Sequence, residues 1–317
     1  MRQSAKLKAA QDILDMLLFG EMSSKKIVSW GRNNRFAGSK DRRHIRDIVY
    51  HCLRNKSYFS YPWRDDNTPI SGRKLILSYW FKELTTVLPI ANEDFFGTQS
   101  FDFPHISDSE KRVLMEKSVP RQDLKESNIK YSYPLFLDKE IKISLEDNFD
   151  KVMNLFLSRA QVFIRANKIK ISTIDLINSL KNEGFDIRCV CNETEIIRVL
   201  NPLNRIKLSP LYSDGFFEFQ DLGSQKVTSM LPVNEGMSIL DFCAGAGGKS
   251  LALASSYKNN LNLNAYDHEK SRLKSFKFRS KRASAKIKFL NDFSFVLNEL
   301  NLLFSPAIKS YLAKKYG

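Results

Sequence analysis

LDFCAGAGGKS, residues 240–250, decides how this chain folds. An apolar run closes on Asp241, glycines follow at 245, 247 and 248, and LALASS then continues with helical character. That order reads as strand, glycine loop and helix. Glycines at such a junction let a ligand approach the backbone without side-chain interference. The helix N-terminus behind them offers free N–H groups and a partial positive charge, suited to a carboxylate or a phosphate. Neither the G-x-G-x-x-G pattern nor the G-x-x-x-x-G-K-[ST] pattern is matched, so the two familiar nucleotide motifs are excluded.

Working outward, SILDF (238–242) reads as a buried strand, LNLNAYD as a second strand ending at Asp267, and AKIKFLND as a third ending at Asp292. AGAGGKSLALASS and the strongly basic HEKSRLKSFKFRSKRAS supply helices between them. Alternation with short connections predicts parallel strands with right-handed crossovers in a doubly wound sheet. An acid at the end of the second strand sits where such folds bind a ribose diol, and Asp292 is placed to reach an adenine edge. Each aspartate taken singly reads as a helix cap or loop residue. Their repetition at successive strand ends points to a nucleoside-containing cofactor.

Upstream the chain changes character twice. In SKDRRHIRDIVYHCLRNKSYF, Ile45, Ile48, Val49, Cys52 and Leu53 fall at helical spacing, with Ser39 or Asp41 placed to cap the helix. Arg42, Arg43, Arg46 and Arg54 crowd its flanks, which suits either solvent or a phosphate backbone. GRKLILSYWFKEL resumes the helical pattern from Gly72, residues 90 to 130 loosen into loop or short helices, and periodicity returns over 132–160. From 161 to 210, QVFIRANK, TIDLINSLKNEGF, DIRCVC and EIIRVL read strand, helix, strand, strand, a small α+β module. FFEFQ (216–220) reads as strand or extended, followed by the helix DLGSQKVTSML.

Composition agrees with a soluble chain. Fifty Lys and Arg oppose 35 Asp and Glu, a net of +15. Such an excess favours a polyanionic partner, because phosphate neutralisation releases counterions; a basic surface kept only for solubility is the alternative. No apolar run reaches the ~20 residues of a membrane span. The first twenty residues, interrupted by Asp12 and Asp15, read as an amphipathic helix rather than a signal or transit peptide, so the expectation is a cytoplasmic monomer with no membrane partner. Cys52, Cys189, Cys191 and Cys243 with four histidines do not make a zinc site, and no metal is expected.

Several motifs occur together in one order. Gln220-Asp221 with Ser224-Gln225, then Leu240 to Ser250, resembles the Q-D-x-x-S-Q and D-x-C-A-A-P-G-G-K-T signatures of the Sun/RsmB/NOP family of RNA cytosine-carbon-5 methyltransferases. Gly245 and Ala246 depart from the usual alanine and proline but keep the loop small. Ala265-Tyr266-Asp267 with Arg272-Leu273 resembles the second cofactor motif, and Asn291-Asp292 the third. Arg165-Ala166-Asn167-Lys168 resembles the family's R-x-N-x-x-K stretch, and Ser39 to Arg54 its NusB-like helical domain.

The resemblance implies an α/β chain of three parts: an all-α NusB-like domain (1–130), a small α+β RNA-binding module (131–212), and the first part of a Rossmann-like class I methyltransferase sheet (213–317). It implies S-adenosyl-L-methionine held by Cys243, Ala244, Gly245, Ala246, Gly247, Gly248 and Lys249, with Asp267, Arg272 and Asp292 completing the site. It implies ribosomal RNA, of the 16S type, gripped by Arg42, Arg43, Arg46, Arg165, Asn167 and Lys168. In the family a cysteine thiolate attacks carbon 6 of cytosine, an aspartate assists, and a second cysteine promotes release. Those groups lie in and after D-A-P-C-S-G, which this sequence does not contain; after Asp292 it has no cysteine. Cys243 corresponds to a non-nucleophilic family position, so no catalytic residue is assigned. The chain then reads as a shortened methyltransferase, inactive alone, with SILDF open along one sheet edge; the alternative is a non-catalytic RNA-binding protein that retains the cofactor pocket.

Overall fold

Helical spacing governs the first 160 residues. The computed structural model describes residues 1–20, 24–84, 95–190, 193–201 and 203–291, in two units that divide between Ala160 and Gln161.

In the N-terminal unit, helix α1 (Gln3–Leu18) buries Leu7, Ala10, Ile13, Leu14 and Leu17 on one face, the amphipathic pattern its spacing predicts. Helix α2 (Ser24–Asn33) leads to α3 (Ser39–Arg54), whose Ile45, Ile48, Val49 and Cys52 are buried while Leu53 stays at the rim. Neither Ser39 nor Asp41 caps α3. Gly38 is its N-cap, without a side-chain bond. Asp41 lies within the first turn, where it pairs with Lys6 (3.1 Å) and the chain's amino terminus (3.3 Å). Helix α4 (Gly72–Tyr79), capped by Ser71, adds Leu75, Ile76 and Leu77 to this core and runs into a π-helical turn, Trp80–Leu84. The loosened region contains α5 (Asp108–Lys117), started by a reciprocal Ser107–Glu110 capping box. Over 132–160 the periodicity becomes α6 (Asp138–Leu145) and α7 (Phe149–Leu157), separated by a 3-10 turn at Glu146–Asn148.

One lysine in this core is a pH-sensitive element. Lys82 Nζ donates to the carbonyls of Tyr58 (3.3 Å) and Val119 (3.4 Å) and lies 3.7 Å above the Tyr58 ring. Burial lowers its pKa to about 7, with Arg121 adding to the effect and Glu83 opposing it. Between that value and the ordinary lysine pKa, the unfolded chain holds a proton that the folded chain has lost. Stability therefore rises with pH across this window. Half-buried Tyr79, raised to about 12 by burial, reverses the trend above the usual tyrosine pKa near 10. Urea unfolding followed by tryptophan fluorescence reads this unit alone, because Trp30, Trp63 and Trp80 all belong to it. Wild type is expected to gain stability between neutral pH and about 10, and Lys82→Met to lose most of that gain. Parallel curves for the two proteins would show that Lys82 does not titrate there.

In the C-terminal unit, an antiparallel sheet has the order β2-β3-β1-β4: β1 (Val162–Ala166), β2 (Asp186–Val190), β3 (Glu193–Asn201) and β4 (Phe217–Phe219). Helix α8 (Thr173–Asn182), capped by Ser172, ends before Gly184. The core of this layer holds Ile164, Leu176, Leu180, Ile197, Val199 and Phe217. Strand β4, in the stretch FFEFQ that reads as strand or extended, lies beyond the expected boundary at residue 212 and pairs with β1 through Ile164↔Phe219 and Ala166↔Phe217. Alternation marks a strand but not its partner.

After α9 (Leu222–Ser229) comes a parallel sheet in the order β5-β6-β7, formed by β5 (Ser238–Asp241), β6 (Asn262–Ala265) and β7 (Lys288–Phe289). Helices α10 (Gly248–Ser256) and α11 (Lys270–Ala283) are the crossovers. SILDF is not buried as read. Ser238 is exposed and Ile239 to Asp241 are half-buried, because β5 is the edge strand among the described residues. Strand β7 is only two residues long, and Asp292, with the apolar residues that follow it, lies outside the described residues. Parallel pairing of Asp241 with Ala265, and of Ala265 with Phe289, puts the three strands' C-terminal ends along one edge. Ligands bind at that edge in open α/β sheets.

Candidate cofactor site

The glycine loop is held from four directions. At its start, Ala244 N–H donates to Tyr266 O (3.0 Å) on the neighbouring strand's extension. Gly245 N–H donates to Asp267 Oδ2 (2.7 Å), while Asp267 Oδ1 accepts from Glu269 N–H (2.8 Å). Ser250 Oγ donates to Asp241 Oδ2 (2.6 Å), tying the first turn of α10 back to the end of β5. Ala246 O accepts from Arg279 Nη1 of α11 (2.6 Å). The loop's path depends on two left-handed glycines, Gly245 (φ 54°) and Gly247 (φ 81°). A side chain at 247 would strike Phe276, 2.0 Å from the position of its Cβ, whereas one at 245 would meet no atom within 4 Å. Gly247 thus faces the core and Gly245 faces open space.

Residues singled out from sequence are distributed accordingly. Cys243, Ala246 and Lys249 are exposed, Ala244 and Gly247 are buried, and Gly248 opens α10. Asp267 is buried and Arg272 follows on the exposed side of α11. These residues gather at one end of the parallel sheet. Arg42, Arg43 and Arg46 lie half-buried on α3 in the N-terminal unit, and Arg42 Nη2 reaches the carbonyls of Asn34 and Arg35 at 3.5 Å.

The R-A-N-K stretch makes several contacts within the fold. Asn167 is buried and donates both amide hydrogens, to Gly215 O and Ala283 O (2.8 Å each). Lys168 pairs with Glu195, and its N–H donates to Ser255 Oγ on α10 (2.8 Å). Arg165 donates to Gln220 Oε1 (2.9 Å); burial lowers its pKa to about 10, with Glu218 opposing and Arg279 adding. Q-D-x-x-S-Q acquires a local meaning as well. Asp221 caps α9 through Gly223 N–H (2.9 Å), and Gln225 Nε2 closes on Gln220 O (2.8 Å).

Sequence reasoning missed a charge cluster behind the loop. The Glu218 side chain is only 3% exposed and accepts from Arg279 through Nε (3.1 Å) and Nη2 (2.9 Å), and from Arg282. Arg282 also lies 4.1 Å over the Tyr212 ring. Burial works against the charge on Arg282, and its bonds to Glu218 and Tyr212 more than restore it. The signal available was an acid in an apolar strand, F-E-F. Asp241 and Ser250 were likewise missed as the loop's clasp, although they flank the glycines. Among the described residues, no three His, Cys, Asp or Glu side chains are grouped to hold a metal ion.

The arrangement fits an adenosyl amino acid. Amides in the first turn of α10 suit a carboxylate, the Gly245 side of the loop is open, and Asp267 retains acceptor capacity beyond its two backbone bonds. Gln220 Nε2 is buried without a hydrogen-bond partner and lies 3.9 Å from where a Cβ at Gly248 would stand.

Fold and loop together define an α/β protein with a helical N-terminal unit, an antiparallel module and a parallel sheet that opens on a glycine loop. The same fold is present in the crystal structure of PH0851 (TM-score 0.67, 18% identity, covering 93% of this chain and 72% of that one). By sequence the chain is a relative of the Sun/RsmB-type ribosomal RNA small subunit methyltransferases B. It is 22% identical to that of Serratia proteamaculans over 194 residues (57% of this chain, 45% of the relative). The Proteus mirabilis protein is 23% identical over 255 residues (76% and 60%). The probable small subunit methyltransferase B of Bacillus subtilis is 24% identical over 181 residues (57% and 37%). The chain thus spans between about a third and three fifths of the length of these curated relatives. No protein-family model matches it.

Proposed function

We propose that these residues form the cofactor and RNA-gripping part of an S-adenosyl-L-methionine-dependent methyltransferase acting on carbon 5 of a cytosine in small-subunit ribosomal RNA. The observation that carries the reading is the clasped loop with an open face at Gly245, in a chain related to ribosomal RNA methyltransferases. When bound, the cofactor supplies an electrophilic methyl group. Cys243 to Lys249 hold its amino-acid end, and Asp267 and Arg272 flank its nucleoside. Asp292 remains a proposed adenine contact. The RNA grip belongs to Arg42, Arg43, Arg46, Arg165 and Lys168, with Asn167 positioning the stretch from inside. The three-part division at 130 and 212, the NusB-like character of the first part and a cytoplasmic monomer belong to the same proposal.

In this reading none of the four cysteines is the nucleophile. Cys52 is fully buried and burial raises its thiol pKa far above the usual range, Cys189 lies in β2, Cys191 falls outside the described residues, and Cys243 sits in the cofactor loop. That observation favours a second reading, an RNA-binding chain that keeps the pocket without methylating.

Peptide-resolved alkylation tests the pocket. Cys189 and Cys243, both exposed, are expected to label in the native protein, and Cys52 only after unfolding. Saturating S-adenosylmethionine should slow labelling of Cys243 about tenfold or more, a shift of roughly 1.4 kcal/mol in accessibility, and leave Cys189 unchanged. Equal Cys243 rates with and without cofactor would sink the cofactor reading. Transfer of methyl to cytosine carbon 5 by the 317-residue chain alone would overturn the assignment of no catalytic cysteine. RNA binding without transfer would favour the second reading.

A further inference from the structure

Helix α11 carries a second feature that the cofactor site does not use. Its inner face packs Leu273, Phe276, Ser280 and Ala283 into the unit, and Arg279 and Arg282 are consumed by Glu218. Along an exposed flank Lys270, Lys274, Lys277 and Lys281 fall at i, i+4, i+7 and i+11, one stripe along the helix, with Lys277 Nζ 5.5 Å from the centre of the Phe289 ring. All four are exposed, and the stripe runs about 16 Å at 1.5 Å per residue. Phe278 stands beside Lys274 and Lys281 on the same side, 69% exposed. Between Lys270 and Asn291 there is no acidic residue, so nothing along the helix or the strand after it neutralises the stripe.

A solvated helix face in a stable protein usually alternates charge signs for i, i+4 support. Four like charges in register are mutually repulsive, and a phenylalanine 69% exposed among them adds little to the core. Both features become favourable against a ligand that presents a row of anions and flat rings. We propose that the outer face of α11 is an RNA-binding surface, in which the lysine stripe follows backbone phosphates and Phe278 stacks on an unpaired base. This rests on the RNA substrate reading above and adds a contact surface distinct from Arg42, Arg43, Arg46 and the R-A-N-K stretch. Lysine rows track a phosphate backbone without reading sequence, and base–aromatic stacking is sequence-tolerant. The surface therefore anchors single-stranded RNA and leaves choice of the target base to other residues.

The test is the salt dependence of binding to fluorescein-labelled polyuridylate between about 50 and 200 mM salt. Wild type is compared with the quadruple variant Lys270→Gln, Lys274→Gln, Lys277→Gln, Lys281→Gln and with the matching quadruple Lys→Arg variant. Each neutralised phosphate contributes about 0.7 to the log–log slope for a single strand. The Gln variant should lose up to about 3 from that slope and at least about tenfold in affinity at the low-salt end, while the Arg variant keeps both. Phe278→Ala should weaken binding about 5- to 100-fold with the slope unchanged, a signature that general loss of structure does not produce. Circular dichroism melts confirm that the variants fold.

If wild type binds and the Gln variant binds with the same slope, α11 is not an RNA surface and the proposal fails while the substrate reading stands. If wild type itself shows no salt-dependent RNA binding, both fail. If RNA binding is equal but only wild type binds phosphatidylglycerol vesicles, the stripe is a membrane contact and the proposal is overturned.

Discussion

Replacing Gly247 with alanine is expected to destabilise the C-terminal unit by about 2–5 kcal/mol, the sum of left-handed backbone strain and overpacking. The backbone at 247 has φ 81°, and its N–H and C=O are both engaged, to Ala244 O (2.8 Å) and from Leu251 N–H (2.9 Å). The loop cannot relax by rotating there without breaking the start of α10. The added methyl would lie 2.0 Å from Phe276 Cδ2 and 2.1 Å from Cε2. Phe276 cannot yield easily, since it is fully buried and its ring meets Phe289 edge-on at 4.9 Å. Gly245→Ala is the control. It carries a similar φ, 54°, but its methyl enters open space, so the cost is the strain alone, about 1–2 kcal/mol. Its effect falls on ligand affinity instead. Hydrogen exchange over residues 248–256 and 270–283 reads both outcomes, because the unit contains no tryptophan. Equal protection in the two variants would mean that Phe276 does not confine the loop.

Glu218→Gln should cost a comparable amount, about 3–5 kcal/mol, the usual penalty for removing one partner of a buried ion pair. The carboxylate is the common acceptor of Arg279 and Arg282, whose side chains are 20% and 9% exposed. An amide keeps one acceptor oxygen but turns its NH2 toward a guanidinium, and both cations lose their counter-charge where water cannot replace it. Arg165, already lowered by burial, loses the charge that opposes that shift. The change also reaches the cofactor loop, since Arg279 carries Ala246 O on its remaining nitrogen. Urea unfolding monitored by circular dichroism at 222 nm gives the stability loss. A double variant with Arg282→Met should lose less than the sum of the two single changes, because each single change strands the other's charge. Strict additivity would show that the three side chains do not act as a cluster.

Several features of the fold were legible before any coordinates. Helix spacing in α3 placed Ile45, Ile48, Val49 and Cys52 in the core, and they are there. LDFCAGAGGKS read as strand, glycine loop and helix because each part has its own local signature, and β5, the loop and α10 follow in that order. Parallel pairing followed from alternation of strands with helices over short connections. Legibility ended where partners are distant in sequence. Phe217–Phe219 looked like a strand, but its pairing with β1, about fifty residues earlier, depends on both surfaces together. Arg279 and Arg282 looked like Lys274 and Lys277, members of one basic helix. Asn167 resembles an RNA contact by motif, and its engagement at Gly215 and Ala283 could be read only from the structure.

The sequence by itself determined the elements, the glycine loop, the excess of positive charge and the kinship with RNA methyltransferases. These are written in spacings of a few residues, where steric and hydrophobic periodicity act locally. Only the tertiary structure decided which charges are buried and paired, which aspartate oxygens clasp the loop, and which glycine faces the core and which faces open space. Most of those outcomes turn on the distance between groups far apart in sequence, such as Gly245 and Asp267 or Asn167 and Ala283, and desolvation and Coulomb energies change steeply with that distance.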